Sequence, residues 1–206
     1  MRTRKMKRTK LPATRKEDPL SSRTNNAREG VITGLKVRLR RKALGDARND
    51  YAWQTDPEIT RLDAAPLLNI SFAHYILDYT SQMRARALTS YRFGIDTIDE
   101  GRHIGNCSYY NINEFRGEAE IGIVIGNRDY WNRGYGTDAV NALLNHLFGE
   151  GKYLRIYLKT LDWNARAQKC FRKCGFTPCG NLYRNGYSFI IMEQYHGQWQ
   201  QRQQER

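Results

Sequence analysis

One stretch of alternating residues limits the possible folds of this chain more than any other feature. In GEAEIGIVIG (residues 117–126) the odd positions from Ala119 to Ile125 are apolar, and the even positions carry two carboxylates and two glycines. Because side chains alternate between the two faces of a strand, one face packs into a core and the other stays open. Glycines on that open face let a ligand or another backbone approach closely. The stretch therefore predicts a strand that borders a site.

Hydrophobic periodicity predicts further strands and helices around this stretch. Alternation with a period of two indicates strands, and apolar residues at helical spacing indicate amphipathic helices. The predicted strands are 35–41, 90–98, 103–112, 117–126, 153–160, 176–183 and 186–194, and the predicted helices are 44–63, 70–88, 134–149 and 164–174. Asn185–Gly186 predicts a hairpin turn. This order predicts the α/β (α+β) class, with a mixed central sheet of about seven strands and flanking helices.

Two of these strands alternate clearly enough to assign a buried face. Residues 35–41 place Leu35, Val37 and Leu39 on one side and basic residues on the other. Residues 153–160 likewise predict that Leu154, Ile156 and Leu158 point inward.

The ends of the chain differ in composition from its centre. The net charge is +13, and no acid precedes Glu17, so residues 1–30 predict a basic, disordered tail. This segment is also compatible with a misplaced start before Met6, with an arm that contacts RNA or DNA phosphates, and with an organellar presequence. Residues 31–195 predict the folded domain, and the glutamine-rich residues 196–206 predict a second tail that frays.

Cysteine spacing and hydropathy narrow the class of protein. Cys170, Cys174 and Cys179 are spaced C-x3-C-x4-C, but no fourth ligand lies close to them in the sequence, so ordinary thiols are expected and no metal. Free thiols suit a reducing cytoplasm. No apolar run approaches the ~18 residues of a membrane span, so no membrane association is expected.

A glycine-rich loop precedes the predicted helix at 134–149. In this loop Gly134 and Gly136 remove side chains where the chain turns into a helix, so free amides and the helix dipole form an anion site. Arg133 adds charge-assisted hydrogen bonds to a phosphate. A plain glycine turn remains open as an alternative. The pattern from Gly134 to Ala139 also satisfies the dinucleotide fingerprint, with Asp162 as a ribose ligand, although seven residues separate this loop from its strand.

The run EAEIGIVIGNRDYWNRGYGTDAVNALLNHLF, followed by NARAQKCFRKCGF, resembles the GCN5-related N-acetyltransferase (GNAT) superfamily. The branch that it resembles most contains the ribosomal-protein alanine and serine N-acetyltransferases. The resemblance covers residues 34–195 and implies the GNAT fold, with a V-shaped opening between two central parallel strands. It also implies acetyl-CoA as cosubstrate and a primary amine, on a protein N-terminus or a small molecule, as acceptor.

The resemblance assigns cofactor-binding residues by position. The loop that holds the pyrophosphate corresponds to Arg133, Gly134, Tyr135, Gly136 and Thr137, the strand segment that pairs with pantetheine corresponds to Ile123, Val124 and Ile125, and the asparagine that opens the second cofactor-contacting helix corresponds to Asn164. The family usually begins the loop motif with Gln or Arg, where this chain has Trp131. Trp131 therefore cannot make the polar contact to phosphate that the family's Gln or Arg makes from this position.

The catalytic residues are less clearly marked. A protonated amine must lose its proton before it attacks a thioester, so a carboxylate near the acceptor is expected. Glu120 is the candidate base, because it lies on the open face and matches the catalytic glutamate of the histone-acetylating branch; Glu118 is the fallback. A structural cross-strand role for Glu120 remains equally open.

The family's usual acid is missing from its expected place. Many members carry a tyrosine seven residues after the motif asparagine, where it protonates the leaving thiolate, and this chain has Phe171 there. Tyr109, Tyr110 and Tyr187 are alternative donors.

The sequence thus predicts an acetyl-CoA-dependent N-acetyltransferase. Tyr109, Tyr110, Asn111 and Asn113 are candidates for the acceptor pocket. Two alternatives remain open: a catalytically weak GNAT protein that senses CoA, as Phe171 suggests, and a module that contacts RNA or the ribosome through the basic tail.

Overall fold

A mixed eight-stranded sheet forms the centre of the computed structural model, which describes residues 30–84 and 90–205. The strands are β1 Val31–Thr33, β2 Val37–Arg41, β3 Ser90–Thr97, β4 His103–Asn113, β5 Glu118–Ile125, β6 Arg155–Leu161, β7 Thr177–Arg184 and β8 Tyr187–Tyr195. The helices are α1 Ala47–Gln54, α2 Pro57–Leu62, α3 Phe72–Arg84, α4 Tyr135–Gly149, α5 Ala165–Cys174 and α6 His196–Gln204. The order of the strands in the sheet is β1-β2-β3-β4-β5-β6-β8-β7.

The predicted α/β class is confirmed, with one strand more than expected. The extra strand is β1, whose three residues are too few to show an alternating pattern. The predicted hairpin turn is also confirmed: Asn185 and Gly186 both have positive φ, at 52° and 80°, as a two-residue hairpin loop requires.

The single parallel pair in the described sheet lies at its centre. Strand β5 pairs with β6 only from Glu118 to Glu120, opposite Arg155 to Tyr157, whereas β4 continues to pair along the other flank of β5 as far as Ile125. The second half of β5 therefore has one flank without a strand partner. This arrangement opens the sheet between β5 and β6.

Helix α4 is fixed at its start by a carboxylate in its first turn. The side chain of Asp138 accepts hydrogen bonds from the backbone amides of Leu35, Lys36 and Val37, at 2.7 to 3.0 Å. A carboxylate is favourable at a helix N-terminus, so it stabilises the helix while it anchors the loop between β1 and β2. Four apolar residues of α4, Val140, Leu143, Leu144 and Leu147, are buried in the core, as their spacing predicts.

A network of buried charges holds α1 against the sheet. Arg40 donates to both Asp46 and Asp96, whose exposed fractions are only 3% each. The neighbouring Arg40 guanidinium and the Ala43 amide hold the pKa of Asp46 well below its usual range, against the opposing effect of burial. These acids are buried because each is paired, as buried charges must be.

Three expectations from the sequence are wrong. Leu35 and Leu154 are 92% and 58% exposed, because β2 begins at Val37 and β6 at Arg155, so both leucines lie in the preceding loops. The predicted helix at 44–63 is divided, because Asp56 caps a new helix that starts at Pro57.

The C-terminal segment is helical, where the sequence predicted a tail. Residues His196–Gln204 form α6, whose Trp199 packs on Phe148 with ring centroids 5.7 Å apart. The tail predicted over residues 1–30 lies almost wholly outside the described residues. Within 30–84 and 90–205, no helix combines the length and the apolar character needed to cross a membrane.

Candidate active site

Two adjoining cavities occupy the opening between β5 and β6. The first, of about 560 Å³, lies against the loop before α4, and we call it the loop cavity. The second, of about 370 Å³, lies over the open face of the sheet, and we call it the sheet cavity. The two share Leu62, Asp63, Ile123, Asn164, Ala167 and Phe171 in their walls. A ligand can therefore extend from one cavity into the other.

The loop cavity contains the start of α4. Gly134 precedes the helix with a φ of 86°, a conformation that favours glycine, and Gly134, Gly136 and Thr137 line the cavity. The first amides of a helix have no partner within the helix, and its dipole places partial positive charge there. A methyl group at Gly136 would meet only ordinary contacts, 3.6 Å from Ile125 and 3.7 Å from Cys170. The helix start is thus open to an anion.

The unpaired flank of β5 forms one wall of the loop cavity. Ile123, Val124 and Ile125 line this cavity, all three beyond the last residue that pairs with β6. Trp131 stands beside them and donates its indole N–H to the Ile125 carbonyl at 2.6 Å. An extended ligand with amide groups can supply the hydrogen bonds that a neighbouring strand would make.

Positive charge reaches the loop cavity from α5 rather than from Arg133. Arg166, Lys169 and Lys173 line the cavity at helical spacing, and the Arg166 guanidinium lies 3.5 Å from the Trp131 ring centroid. Arg133 instead donates to the Asp129 carbonyl at 3.0 Å and does not line either cavity, nor does Tyr135. The sequence singled out Arg133 and missed the basic stripe, since a charge run on a short helix is also typical of a solvated face.

A thiol lies under the glycine loop. The Cys170 sulfur is 3.4 Å from the Thr137 hydroxyl, and a hydrogen bond from Cys174 lowers the pKa of Cys170 to about 7 against the effect of burial. Cys179, by contrast, is exposed, and its pKa is raised, first by burial.

We expect iodoacetamide to alkylate Cys170 faster than Cys179 at neutral pH, because the thiolate is the reacting form and a lowered pKa increases its fraction. The rate at Cys170 should rise with pH through about 7. Saturating CoA should slow the alkylation of Cys170 about tenfold, since a bound cofactor covers the thiolate that must attack iodoacetamide. Peptide mass spectrometry across pH measures both sites, and Cys179 serves as the internal control. An unchanged rate at Cys170 with CoA would contradict this placement of the cofactor.

The sheet cavity contains Glu120, whose carboxylate is held by three donors. Lys159 lies 2.8 Å away, the Asn111 amide 2.9 Å and the Tyr110 hydroxyl 3.2 Å. Asn111 reaches Glu120 because it sits in a break of the β4–β5 register with a φ of 49°. Glu120 is 3% exposed, so the open face predicted from the sequence is in fact covered here by neighbouring side chains.

A second carboxylate, that of Asp63, lies in both cavities and was not found from the sequence. It follows α2, and Asn164 donates to the adjacent Leu62 carbonyl at 3.3 Å, which ties this corner to the start of α5. Asp63 is accessible from the cleft but surrounded by protein, and this loss of water raises its pKa to about 6. Nothing in the local sequence distinguishes Asp63 from an ordinary helix-terminal acid.

Asn164 itself caps α5. Its side chain accepts a hydrogen bond from the Ala167 amide at 3.2 Å and is almost fully buried. Such caps are favoured because they satisfy an otherwise unpaired helix amide.

The aromatic residues that the sequence offered as proton donors or pocket residues differ in whether they line the cleft. Tyr110 and Tyr187 line the sheet cavity, whereas Tyr109 is buried against Tyr91 and lines neither cavity. Burial, followed by the Glu120 carboxylate, raises the pKa of Tyr110 above its usual range. Phe171 lines both cavities and packs against Phe176.

The remaining candidates lie outside the cleft. Asn113 and Glu118 line neither cavity, and Glu118 is paired with Arg155. Among residues 30–84 and 90–205, no group of three or more His, Cys, Asp or Glu side chains is placed to hold a metal ion.

The sheet opens beside a helix N-terminus, and the gap contains free amides, cations and the unpaired flank of a strand. Such a site is typical of a protein that binds a long anionic cofactor. The chain belongs to the GNAT family of acetyltransferases, since the model of the Acetyltransferase (GNAT) domain matches residues 36–177. This confirms the resemblance and the expected acetyl-CoA cosubstrate. The fit is direct: the free helix amides suit a pyrophosphate, and the β5 flank suits an amide-bearing arm.

Individual relatives agree with this assignment. The uncharacterized N-acetyltransferase p20 of Bacillus licheniformis is 27% identical over 148 residues, which is 71% of this chain and 82% of that protein. Aminoglycoside acetyltransferase AAC(6')-Ib in complex with coenzyme A has a TM-score of 0.67 and 21% identity, over 81% of this chain and 99% of that one. Spermidine N-acetyltransferase from Vibrio cholerae, in complex with CoA and spermine, has a TM-score of 0.68 and 21% identity, over 80% and 98%. These two structures share the fold.

Proposed function

We propose that this chain transfers the acetyl group of acetyl-CoA directly to a primary amine held in the sheet cavity. The observation that carries the proposal is that the two cavities share a wall, which contains Asp63, and that one of them contains the start of α4. Bound acetyl-CoA supplies the activated acetyl thioester. The protein's own task is to hold the cofactor, orient the amine and remove a proton.

The loop cavity binds the cofactor. The amides at Gly136 and Thr137 hold the pyrophosphate, and Arg166 and Lys169 add positive charge from the opposite wall. Segment 123–125 takes the pantetheine arm, and Asn164 fixes the start of α5 beside it. Arg133 and Tyr135 support the loop from its outer side: Arg133 bonds to Asp129, and Tyr135 packs edge-on against Tyr130.

Proton removal from the amine falls to Asp63. The described residues donate no side-chain hydrogen bond to its carboxylate, and a base with a pKa of about 6 is well matched to work near neutral pH. The Glu120 carboxylate, in contrast, already accepts hydrogen bonds from Lys159, Asn111 and Tyr110. Glu120 is therefore the second candidate base and otherwise serves to order Tyr110 and Lys159.

Groups in the cleft can take up and supply the protons that move during acetyl transfer. The ammonium group of the acceptor first gives a proton to Asp63. The neutral amine nitrogen then forms a bond to the acetyl carbon while the carbon–sulfur bond breaks, and the second proton that this nitrogen loses passes through water to replace the one taken up by the thiolate. The CoA thiolate takes a proton from water or from Tyr187, because Phe171 has none to give and the Tyr110 hydroxyl already donates to Glu120.

Calorimetry with CoA, followed by chromatography of acetylated product with a panel of primary amines, tests this function. We expect CoA to bind and at least one amine to be acetylated. Absence of binding at millimolar CoA would refute the proposal.

Phe171 supports one alternative, a CoA-binding protein that does not catalyse transfer. That alternative predicts tight CoA binding without product from any amine. Contact with RNA or the ribosome through residues 1–30 stays a proposal from charge alone.

A further inference from the structure

The charged side chains in the sheet cavity differ in whether they already have a partner. This cavity is lined by two acidic side chains, Asp63 and Glu120, and by two basic side chains, Lys159 and Arg184. Lys159 and Glu120 form an ion pair at 2.8 Å and neutralise each other. This pair orders the wall but leaves little charge for a ligand.

The other two charges are unpaired within the described part of the chain. Asp63 and Arg184 take part in no ion pair or side-chain hydrogen bond there, and the pKa of Asp63 is shifted by burial alone, without a neighbouring cation. Both residues are exposed where they line the cavity, and they come from different elements: Arg184 ends β7 at the hairpin with β8, whereas Asp63 directly follows α2. The cavity therefore offers one free anion and one free cation.

From this arrangement we infer that the acceptor is a small molecule that carries both its reactive amine and a carboxylate. This inference rests on the proposed acetyl transfer. Asp63 receives the ammonium and then its proton, and Arg184 forms the planar, two-point contact that guanidinium makes with carboxylates. A cavity of about 370 Å³ suits a ligand of the size of an amino acid.

Charge balance argues against a polycationic acceptor. An acceptor such as spermine carries several positive charges and needs several unpaired carboxylates, whereas the described wall of the cavity offers only Asp63. The chain as a whole carries a net charge of +13, which repels polycations further. The polyamine and aminoglycoside acceptors of the structurally similar enzymes are therefore poor candidates here.

Amino acids and their amides are a matched pair of probes. The two differ only at the carboxylate, and the amide has the more easily deprotonated amine, so chemistry alone favours the amide. We expect the full-length protein to acetylate phenylalanine or alanine with a kcat/KM about tenfold above that of the amide, which is the usual value of one charged contact. Spermidine and kanamycin should give less product than either. Chromatography of CoA and acetylated product measures all of them.

The variant Arg184→Gln should bring the ratio of amino acid to amide close to one, chiefly through KM. Lys152→Gln, an exposed cation paired with Glu114, is the matched control and should keep the wild-type ratio. The inference is overturned if amides or polyamines are acetylated as well as amino acids, or if the ratio survives Arg184→Gln. In either case acetyl transfer itself still stands. Lack of product from every amine overturns the proposed function as well.

Discussion

Replacing Gly136 by aspartate is expected to abolish CoA binding while the protein stays folded. The new carboxylate would lie in the first turn of α4, inside the loop cavity, where it would occupy the free amides and repel the cofactor phosphates. At a few ångströms such repulsion reaches several kcal/mol, so we expect Kd for CoA to rise at least about 100-fold. An acid in the first turn is favourable for the helix itself, so thermal stability should be kept or slightly raised.

The matched control is Gly136→Ala. The added methyl meets only ordinary contacts, and alanine is a better helix residue than glycine, so binding should change less than about threefold. Titration calorimetry with CoA and thermal melting without it are the two measurements. If Gly136→Asp bound CoA normally, the start of α4 would not be the phosphate site. If Gly136→Ala lost binding too, the loss would not come from charge.

Replacing Asp63 by asparagine is expected to remove most of the catalysis and its pH dependence. A general base works in its deprotonated form. Asp63 is exposed to the cleft, yet the protein around it keeps enough water from its carboxyl group to raise its pKa to about 6. Wild-type kcat/KM should therefore fall as pH drops through about 6 and level off above it, once the carboxylate is charged. In Asp63→Asn, kcat/KM should drop about 100-fold or more, the usual contribution of a general base, and the inflection near pH 6 should vanish.

Glu120→Gln tests the base expected from the sequence. If Asp63 is the base, Glu120→Gln lowers the rate by disturbing Lys159 and Tyr110 but keeps the inflection near pH 6. If Glu120 is the base, kcat/KM is kept in Asp63→Asn and drops about 100-fold in Glu120→Gln. Kinetics from pH 5 to 9 with CoA near saturation, together with calorimetry to show that each variant binds CoA, separate the two.

The sequence predicted the features of this protein that depend on local patterns. Alternation marked seven of the eight strands, and Gly134 and Gly136 marked the turn into α4, because both signals come from neighbouring residues. The turn at Asn185–Gly186 was predictable for the same reason. Strand β1 and helix α6 were missed, since the first is three residues long and the second depends on Trp199 packing against Phe148.

Contacts between distant segments could not be predicted from local patterns. Asp63 enters the cleft because Asn164, about a hundred positions later, binds the carbonyl beside it. Asp138 anchors a loop from the start of the domain, and Arg40 joins Asp46 to Asp96 across two strands. In each case a common surface residue acquires its role only when the chain is folded.

The short pairing of β5 with β6 has a consequence for the kind of molecule that can occupy this protein. Strand β5 pairs with β4 from Glu118 to Ile125, with one register break, yet its other side has no strand partner from Ile121 onward. We expect an extended ligand with its own alternating donors and acceptors to pair with this free flank as an additional strand would. Binding of such a ligand should therefore raise the melting temperature of the protein, and the increase should grow with the ligand concentration.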